Sequence, residues 1–280
     1  MQGESHTGQA SQHRVTIEPL PRWLDSARLL GPQTFSFSSR ADEALRAEAM
    51  LSRADAADVA ARLRGLGFGG CMLEVTVQPP LPRAAVRVAR STDAKRRWQT
   101  SVGFNAPRAR VDEEGRMSLT PEELALQIAK AAKGKRVVDA CCGVGGNTIA
   151  FARAGCQVTA IDIDPERLAL AKHNARVYSV AEHISFLHGN ATTLLSQLKA
   201  DVLFIDVPWG SDWNRHVVTL AELPLLSPLL AHAQYYKEVW LKVPPSFDTR
   251  ELLDFEPMAM FGAAEGDARR VKFLWLRSRQ

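Results

Sequence analysis

Apolar positions along the chain follow two regimes. Over Arg40–Met50 and Ala54–Leu66 they recur at helical spacing, which predicts two helices, the second stopped by Gly67, Gly69 and Gly70. Two β-like runs follow, Met72–Val77 and Ala84–Val88, separated by Gln78-Pro79-Pro80-Leu81-Pro82. Beyond Thr120 short apolar runs alternate with helical stretches, the pattern of a parallel sheet joined by crossover helices. The predicted strands are Arg136–Ala140, Gln157–Ile161, Ile184–Leu187, Val202–Ile205, Val239–Val243, Pro257–Phe261 and Lys272–Leu276. Only Gly262 to Val271 separates the last two, too little for a crossover helix, so they should pair antiparallel. Thr120-Pro121-Glu122-Glu123 predicts a helix start, with Thr120 as N-cap, Pro121 in the first turn and Glu123 closing a capping box.

These elements divide the chain into a polar tail expected to be disordered (1–13), a small α/β accessory region (14–100) and a Rossmann-like α/β domain (101–280). A doubly wound sheet of seven strands ending in an antiparallel hairpin is the shape expected of a class I S-adenosylmethionine (SAM)-dependent methyltransferase. A dinucleotide dehydrogenase more often stays parallel.

With 280 residues, 46% of them hydrophobic, the chain can fill one substantial core and a lesser one. No apolar run approaches the roughly 18 residues that span a bilayer, and the first twenty lack a secretory apolar region. A soluble intracellular protein without a membrane partner is expected, cytoplasmic in a bacterium, nuclear or nucleolar in a eukaryote. Cys71, Cys141, Cys142 and Cys156 show no C-x-x-C spacing, which suggests reduced thiols and no metal. Charge is uneven: residues 1–110 carry 16 Lys/Arg against 10 Asp/Glu, and residues 111–280 carry 19 against 21. A basic N-terminal part suits a polyanion such as RNA, and equally suits a solvated arginine-rich surface.

The strongest chemical signal is Val137-Val138-Asp139-Ala140-Cys141-Cys142-Gly143-Val144-Gly145-Gly146-Asn147-Thr148, a buried strand running through a glycine turn into a helix. Glycines let backbone approach a ligand at the helix N-terminus. Asp162, at the end of the next strand and nineteen residues after Gly143, is placed to accept hydrogen bonds from ribose hydroxyls. Thr148 stands where a dinucleotide turn has its third glycine, and Asp139 would repel a pyrophosphate but suits the cationic amino and sulfonium groups of SAM. The alternatives are a capping or solvated acid at Asp139 and an N-cap at Asp164 ahead of Pro165. Cys141 and Cys142 suit packing beneath the cofactor.

After the fourth strand comes Asp206-Val207-Pro208-Trp209-Gly210. An exocyclic base amine is a poor nucleophile, so a methyltransferase must hold the nitrogen in line and accept its N–H groups. Asp206 and the Val207-Pro208 carbonyls can accept, and Trp209 can stack on the base, unless it is a core aromatic. Trp213 is placed to edge the same pocket. Lys242, ending the fifth strand, is either a phosphate ligand or an ordinary exposed lysine, and Lys95-Arg96-Arg97-Trp98 is either a phosphate clamp or a solvated charge run.

Together these residues resemble the trimethylguanosine synthase family of RNA cap guanine-N2 methyltransferases over roughly residues 95–280. The resemblance rests on Met117 to Glu122, Val137 to Thr148, Ala160 to Pro165, Ala169 to Tyr178 and Pro208-Trp209-Gly210. It implies that Asp139, Cys141, Gly143, Gly145, Asn147, Thr148, Asp162, Ile163, Asn190 and Thr120 hold SAM. It also implies that Asp206, Pro208 and Trp209 serve the reaction, with Trp209 stacked on 7-methylguanine, and that Asn174 lies near the phosphates. The expected partner is an RNA or nucleotide carrying guanine, converted without metal. Three positions depart from the family: Asp206 replaces a serine, Asn190 an acid expected to bind the adenine amine, and Met117 an aromatic. Asp206 keeps open a relative acting on another amine in tRNA, rRNA or a small heterocycle, and an inactive RNA-binding fold is a third reading.

Overall fold

The computed structural model describes residues 12–96, 100–210 and 212–279. Its N-terminal unit runs β1 (Gln12–Leu20), α1 (Ser26–Leu30), β2 (Ser36–Ser39), β3 (Leu45–Ser52), α2 (Arg53–Leu63), β4 (Gly67–Phe68), β5 (Cys71–Met72), β6 (Glu74–Gln78) and α3 (Arg83–Arg96). Strands β2-β3-β1-β6 form an antiparallel sheet. Its inner face sets Val15, Ile17, Ala47, Leu51 and Val75 against Val59, Ala60 and Leu63 of α2.

Three expectations fail here. The helix expected over Arg40–Met50 is mostly strand β3: Ala47, Ala49 and Leu51 point inward at period two, and pairing with β1 and β2 overrides the helix preference of Ala, Leu and Glu. The strand expected over Ala84–Val88 is the start of α3, which buries Asp93 against Arg270 of the larger unit. The expected tail over 1–13 ends too late, because Gln12 and His13 already belong to β1 and His13 is buried with its ring nitrogen on Pro79 O at 2.7 Å. Residues 1–11 lie outside the described ones.

The larger unit contains α4 (Glu113–Ser118), α5 (Glu122–Ala131), β7 (Arg136–Asp139), α6 (Gly146–Arg153), β8 (Gln157–Asp162), α7 (Pro165–Val177), β9 (Ile184–His188), α8 (Ala191–Leu194), β10 (Val202–Ile205), α9 (Leu226–Leu230), β11 (Glu238–Val243), β12 (Phe255–Phe261) and β13 (Val271–Ser278). Its seven strands are ordered β12-β13-β11-β10-β7-β8-β9. The run from β11 to β9 is parallel, and β13 is antiparallel to both neighbours. Central strands are covered on both faces, so they read as unbroken apolar runs: Val202, Leu203, Phe204 and Ile205 are all 0% exposed. Leu124, Phe151, Leu168 and Ala171 pack one face, while Leu195, Leu226 and Leu229 pack the other. With the last strand inserted antiparallel beside β11, this is the class I SAM-dependent methyltransferase fold.

Strands β7 and β10 are neighbours, but the chain leaves β7 for β8 on one side and leaves β10 for β11 on the other. Ligand crevices form at the carboxyl ends of strands at such a switch point. The glycine turn follows β7 and Asp206–Trp209 follows β10, so both sequence signals open onto one crevice.

The smaller unit is fastened to the larger at that end. Gly67 N donates to Arg215 O at 2.9 Å and Gly69 N to Pro245 O at 3.1 Å. A Cβ at Gly67 would lie 1.7 Å from His216 O, so only glycine permits this approach. Among the described residues no helix is long and apolar enough to cross a membrane.

Candidate active site

The glycine turn is held open by its own backbone. Gly143 and Gly145 adopt φ +51° and +92°, a region glycine enters without steric cost. Cys142 N donates to Ile161 O at 2.8 Å and Gly143 N to Asp162 Oδ2 at 2.6 Å, joining the ends of β7 and β8. Asp162 Oδ1 accepts Asp164 N at 3.0 Å. Each carboxylate oxygen keeps a second lone pair for a hydroxyl. Asp164 caps α7 through Glu166 N and Arg167 N, with Pro165 in the first turn.

Cys142, Gly143, Asp162, Asp164 and Arg167 line a cleft of about 350 Å³ with Thr120, Cys141, Asn147, Ile163, Asn190 and Pro208. Ile163, 68% exposed, gives it an apolar wall suited to an aromatic ring. Arg167 pairs with Asp112 (3.3 Å) and Glu114 (2.9 Å), drawing α4 over the cleft.

Asp139 is buried directly behind the turn. Thr148 Oγ1 donates to its Oδ2 at 2.6 Å, while Oδ1 has no partner. Burial pushes this carboxyl up to about 7, with Asp206 and Asp162 adding repulsion. Thr120 Oγ1 and Asn147 Oδ1 are also buried without partners, and both residues line the cleft, whereas Asp139 lies behind the lining. Burial raises the Cys141 and Cys142 thiols, which leaves them protonated and unsuited to nucleophilic work.

A second cavity of about 770 Å³ adjoins the first, sharing Glu114, Ser118, Leu119, Thr120, Pro208 and Trp209. Trp209 meets Trp213 edge-on, with centroids 5.8 Å apart. Asp206, behind Trp209, accepts Asn147 Nδ2 at 3.0 Å and Lys242 Nζ at 2.8 Å, both on Oδ2. Lys242 also donates to Ser118 O at 3.2 Å and lies 5.4 Å from the Trp209 ring centre.

The structure relocates several expected site residues. Thr120 is no N-cap: α5 starts after Pro121 without a side-chain cap, because Glu122 turns inward to Arg153 and Asn105 N, leaving Thr120 to the cleft. Thr148 is fully buried and touches Asp139 rather than either cavity. Gly145 faces α7, where an added Cβ would lie 3.3 Å from Ala171 Cα. Asn174, 0% exposed, spans Arg110 N, Arg110 O and Val144 O, so it fastens the loop after residue 100 to the glycine turn and cannot meet a phosphate. The carbonyl of Asn190 already accepts Thr192 N and Thr192 Oγ1, which removes it as acceptor for an amine. Lys242 is a buried ion-pair member, 3% exposed, and Lys95 lies on the exposed last turn of α3 outside both cavities. Arg97 and Trp98 fall outside the described residues.

Sequence reasoning missed the basic rim. Arg116 and Arg215 line the second cavity, and exposed Arg108 and Arg110 flank it on the same loop as Pro107 and Val111. None of the four forms an ion pair among the described residues, and Arg215 stacks over Trp213 at 4.3 Å. They come from three separate segments, and no spacing in the sequence links them.

Residues 134–255 match the family model of the RNA cap guanine-N2 methyltransferases. Trimethylguanosine synthase of Schizosaccharomyces pombe is 34% identical over 110 residues, covering 36% of this chain and 46% of the relative. Its Saccharomyces cerevisiae counterpart is 35% identical over 103 residues, 33% of each chain. The chain thus spans less than half the length of these curated relatives. Among solved structures, a T. thermophilus 16S rRNA N2 methyltransferase in complex with AdoMet and guanosine is 17% identical with a TM-score of 0.44, covering 62% of this chain and 44% of that one. Residues 134–255, which hold the glycine turn, Asp162 and Trp209, are thus the part of the chain that is similar to the RNA cap guanine-N2 methyltransferases.

Proposed function

We propose that this chain methylates the exocyclic N2 amine of guanine in RNA, using SAM, with the 7-methylguanosine cap as its substrate. The observation that carries this reading is the junction of the two cavities at Pro208 and Trp209, within the family-matched segment.

The smaller cleft fits SAM. The unpartnered oxygens of Thr120 and Asn147 in its lining, with the Asp139 carboxyl buried behind them, suit an ammonium group, Asp162 a ribose and Ile163 an adenine. When bound there, SAM supplies an electrophilic methyl group on a sulfonium. The remaining chemistry belongs to the chain. Trp209 stacks the base in the larger cavity, worth about 1–3 kcal/mol. Asp206 is anchored through Oδ2 alone, which leaves Oδ1 to accept an N–H of the target amine and orient its nitrogen. The amine becomes acidic once alkylated, so no strong base is needed. Arg116 and Arg215 meet the phosphates that follow the base.

One observation favours a second reading. The Lys242 ammonium already sits over the Trp209 ring, which weakens the pull of that ring on a cationic base. A neutral guanine of tRNA or rRNA is the alternative.

The test is to incubate the protein with SAM and 7-methyl-GDP, GDP or tRNA, and to weigh the products. Added methyl on 7-methyl-GDP alone supports the cap reading. Methyl on GDP or tRNA supports the neutral-guanine reading, and no methyl on any substrate overturns both.

A further inference from the structure

Helix α3 carries five basic residues and a single acid, Asp93, which it buries. Its packing stripe is Ala85, Val86, Ala89 and Asp93. Arg83, Arg87 and Arg90 lie off that stripe at intervals of four and three, which aligns them along one exposed flank. None of the three has a carboxylate partner among the described residues, in contrast to Arg96, which pairs with Asp58 at 2.7 Å. A helix lying only on its own unit would gain from acids interleaved with these arginines, and this flank has none.

The helix is also fixed relative to the active site. Buried Asp93 binds Arg270, immediately before Val271 and Lys272, and Lys272 lines the larger cavity. Thr100 and Ser101, just beyond the helix, line it too, and Ser101 is held by Asp267. Helical rise and chain reach together place Arg90 within roughly 23 Å of Thr100, a span of a few nucleotides.

We infer that the Arg83–Arg87–Arg90 flank of α3 is a docking surface for the phosphate backbone of the RNA whose guanine enters the larger cavity. The inference rests on the reading of that cavity as a guanine site. Charge complementarity identifies the occupant: an unpaired row of guanidinium groups, rigidly tied to the wall of a site already rimmed by arginines, suits a polyanion longer than a nucleotide. The surface reads no sequence. It holds the RNA in register and strengthens binding at low salt.

The experiment compares wild type with the triple variant R83Q/R87Q/R90Q on 7-methyl-GDP and on a capped oligoribonucleotide, across a salt series. The exposed positions should leave the melting temperature unchanged. On capped RNA kcat/KM should fall on the order of tenfold at low salt, and the slope of log affinity against log salt should flatten by about two, the share of three single-strand phosphate contacts. Kinetics on 7-methyl-GDP should not move, and the triple lysine variant should restore the RNA arm. Equal kinetics of wild type and the glutamine variant on RNA would overturn the docking surface while leaving the guanine reading intact. If wild type methylates neither substrate, the guanine reading has failed. Fluorescence anisotropy with uncapped RNA then decides the surface alone, an unchanged salt slope overturning it.

Discussion

The two joined cavities are built by opposite means. The smaller has a local centre: a glycine turn, the acid at the end of the next strand and a helix start, all within Ala140 to Arg167 and tied by bonds such as Gly143 N to Asp162 Oδ2, with Thr120, Asn190 and Pro208 completing its wall. The larger is assembled from distant pieces: the segment from Thr100 to Pro121, Trp209 and Trp213, Lys242 within β11, and Phe273 within β13. A cleft centred on one turn is readable from local sequence. A substrate site made from many segments depends on what holds them together.

The largest effect should come from the ion pair behind Trp209. Asp206→Ala leaves the Lys242 ammonium buried without its counter-charge, which should cost about 3–5 kcal/mol of stability by chemical denaturation. The double variant Asp206→Ala/Lys242→Met should recover most of that stability while remaining inactive. If the single variant unfolds no earlier than wild type, the pair carries no such burden.

Next is Asp139. Its folded carboxyl is pushed up to about 7 from an ordinary 3.8, so the unliganded protein resists ionising a group that the unfolded chain ionises freely. The cost is absent below about pH 4, grows as pH rises, and is complete above about 7, reaching at most roughly 4 kcal/mol. Thermal melts of wild type should therefore lose stability from pH 5 to 8 relative to Asp139→Asn, and parallel curves would refute the burial argument. S-adenosylhomocysteine, whose amino group offers a counter-charge, should shrink the gap.

Trp209→Ala should lower kcat/KM on the guanine substrate roughly five- to hundredfold, the value of one stacked base, while calorimetry finds S-adenosylhomocysteine affinity nearly unchanged. Smallest, and most diagnostic of distant assembly, is Gly67→Ala. A methyl there meets His216 O and must shift the loop carrying Trp213 and Arg215. KM for the guanine substrate should rise severalfold with no change in cofactor affinity. An unaltered KM would show that the N-terminal unit does not set this wall.

The same contrast explains what the sequence made legible. All seven strands of the large sheet, their antiparallel ending and the cap at Asp164 follow from local apolar runs and turn chemistry. The N-terminal unit misled because Ala47 and Ala49 sit in residues that favour helix, and only pairing on both sides makes them strand. At the site, Lys242 looked like an exposed end-of-strand lysine because nothing near it in the chain announces Asp206. Asn174 was expected near the phosphates from the resemblance alone, and the Arg110 backbone it holds instead lies 64 positions away. The arginine rim was invisible for the same reason: its members share a place, and no period.

The central claim, that a base stacked on Trp209 receives a methyl on its exocyclic amine, is tested most directly by locating the methyl. Wild type and Trp209→Ala, matched for S-adenosylhomocysteine affinity, are incubated with SAM and 7-methyl-GDP, and the products are digested to nucleosides and separated against N2-methylated standards. The account predicts N2-methylated 7-methylguanosine from wild type and an initial yield roughly five- to hundredfold lower from the variant. Methyl on any other atom, or an undiminished yield from Trp209→Ala, would contradict it.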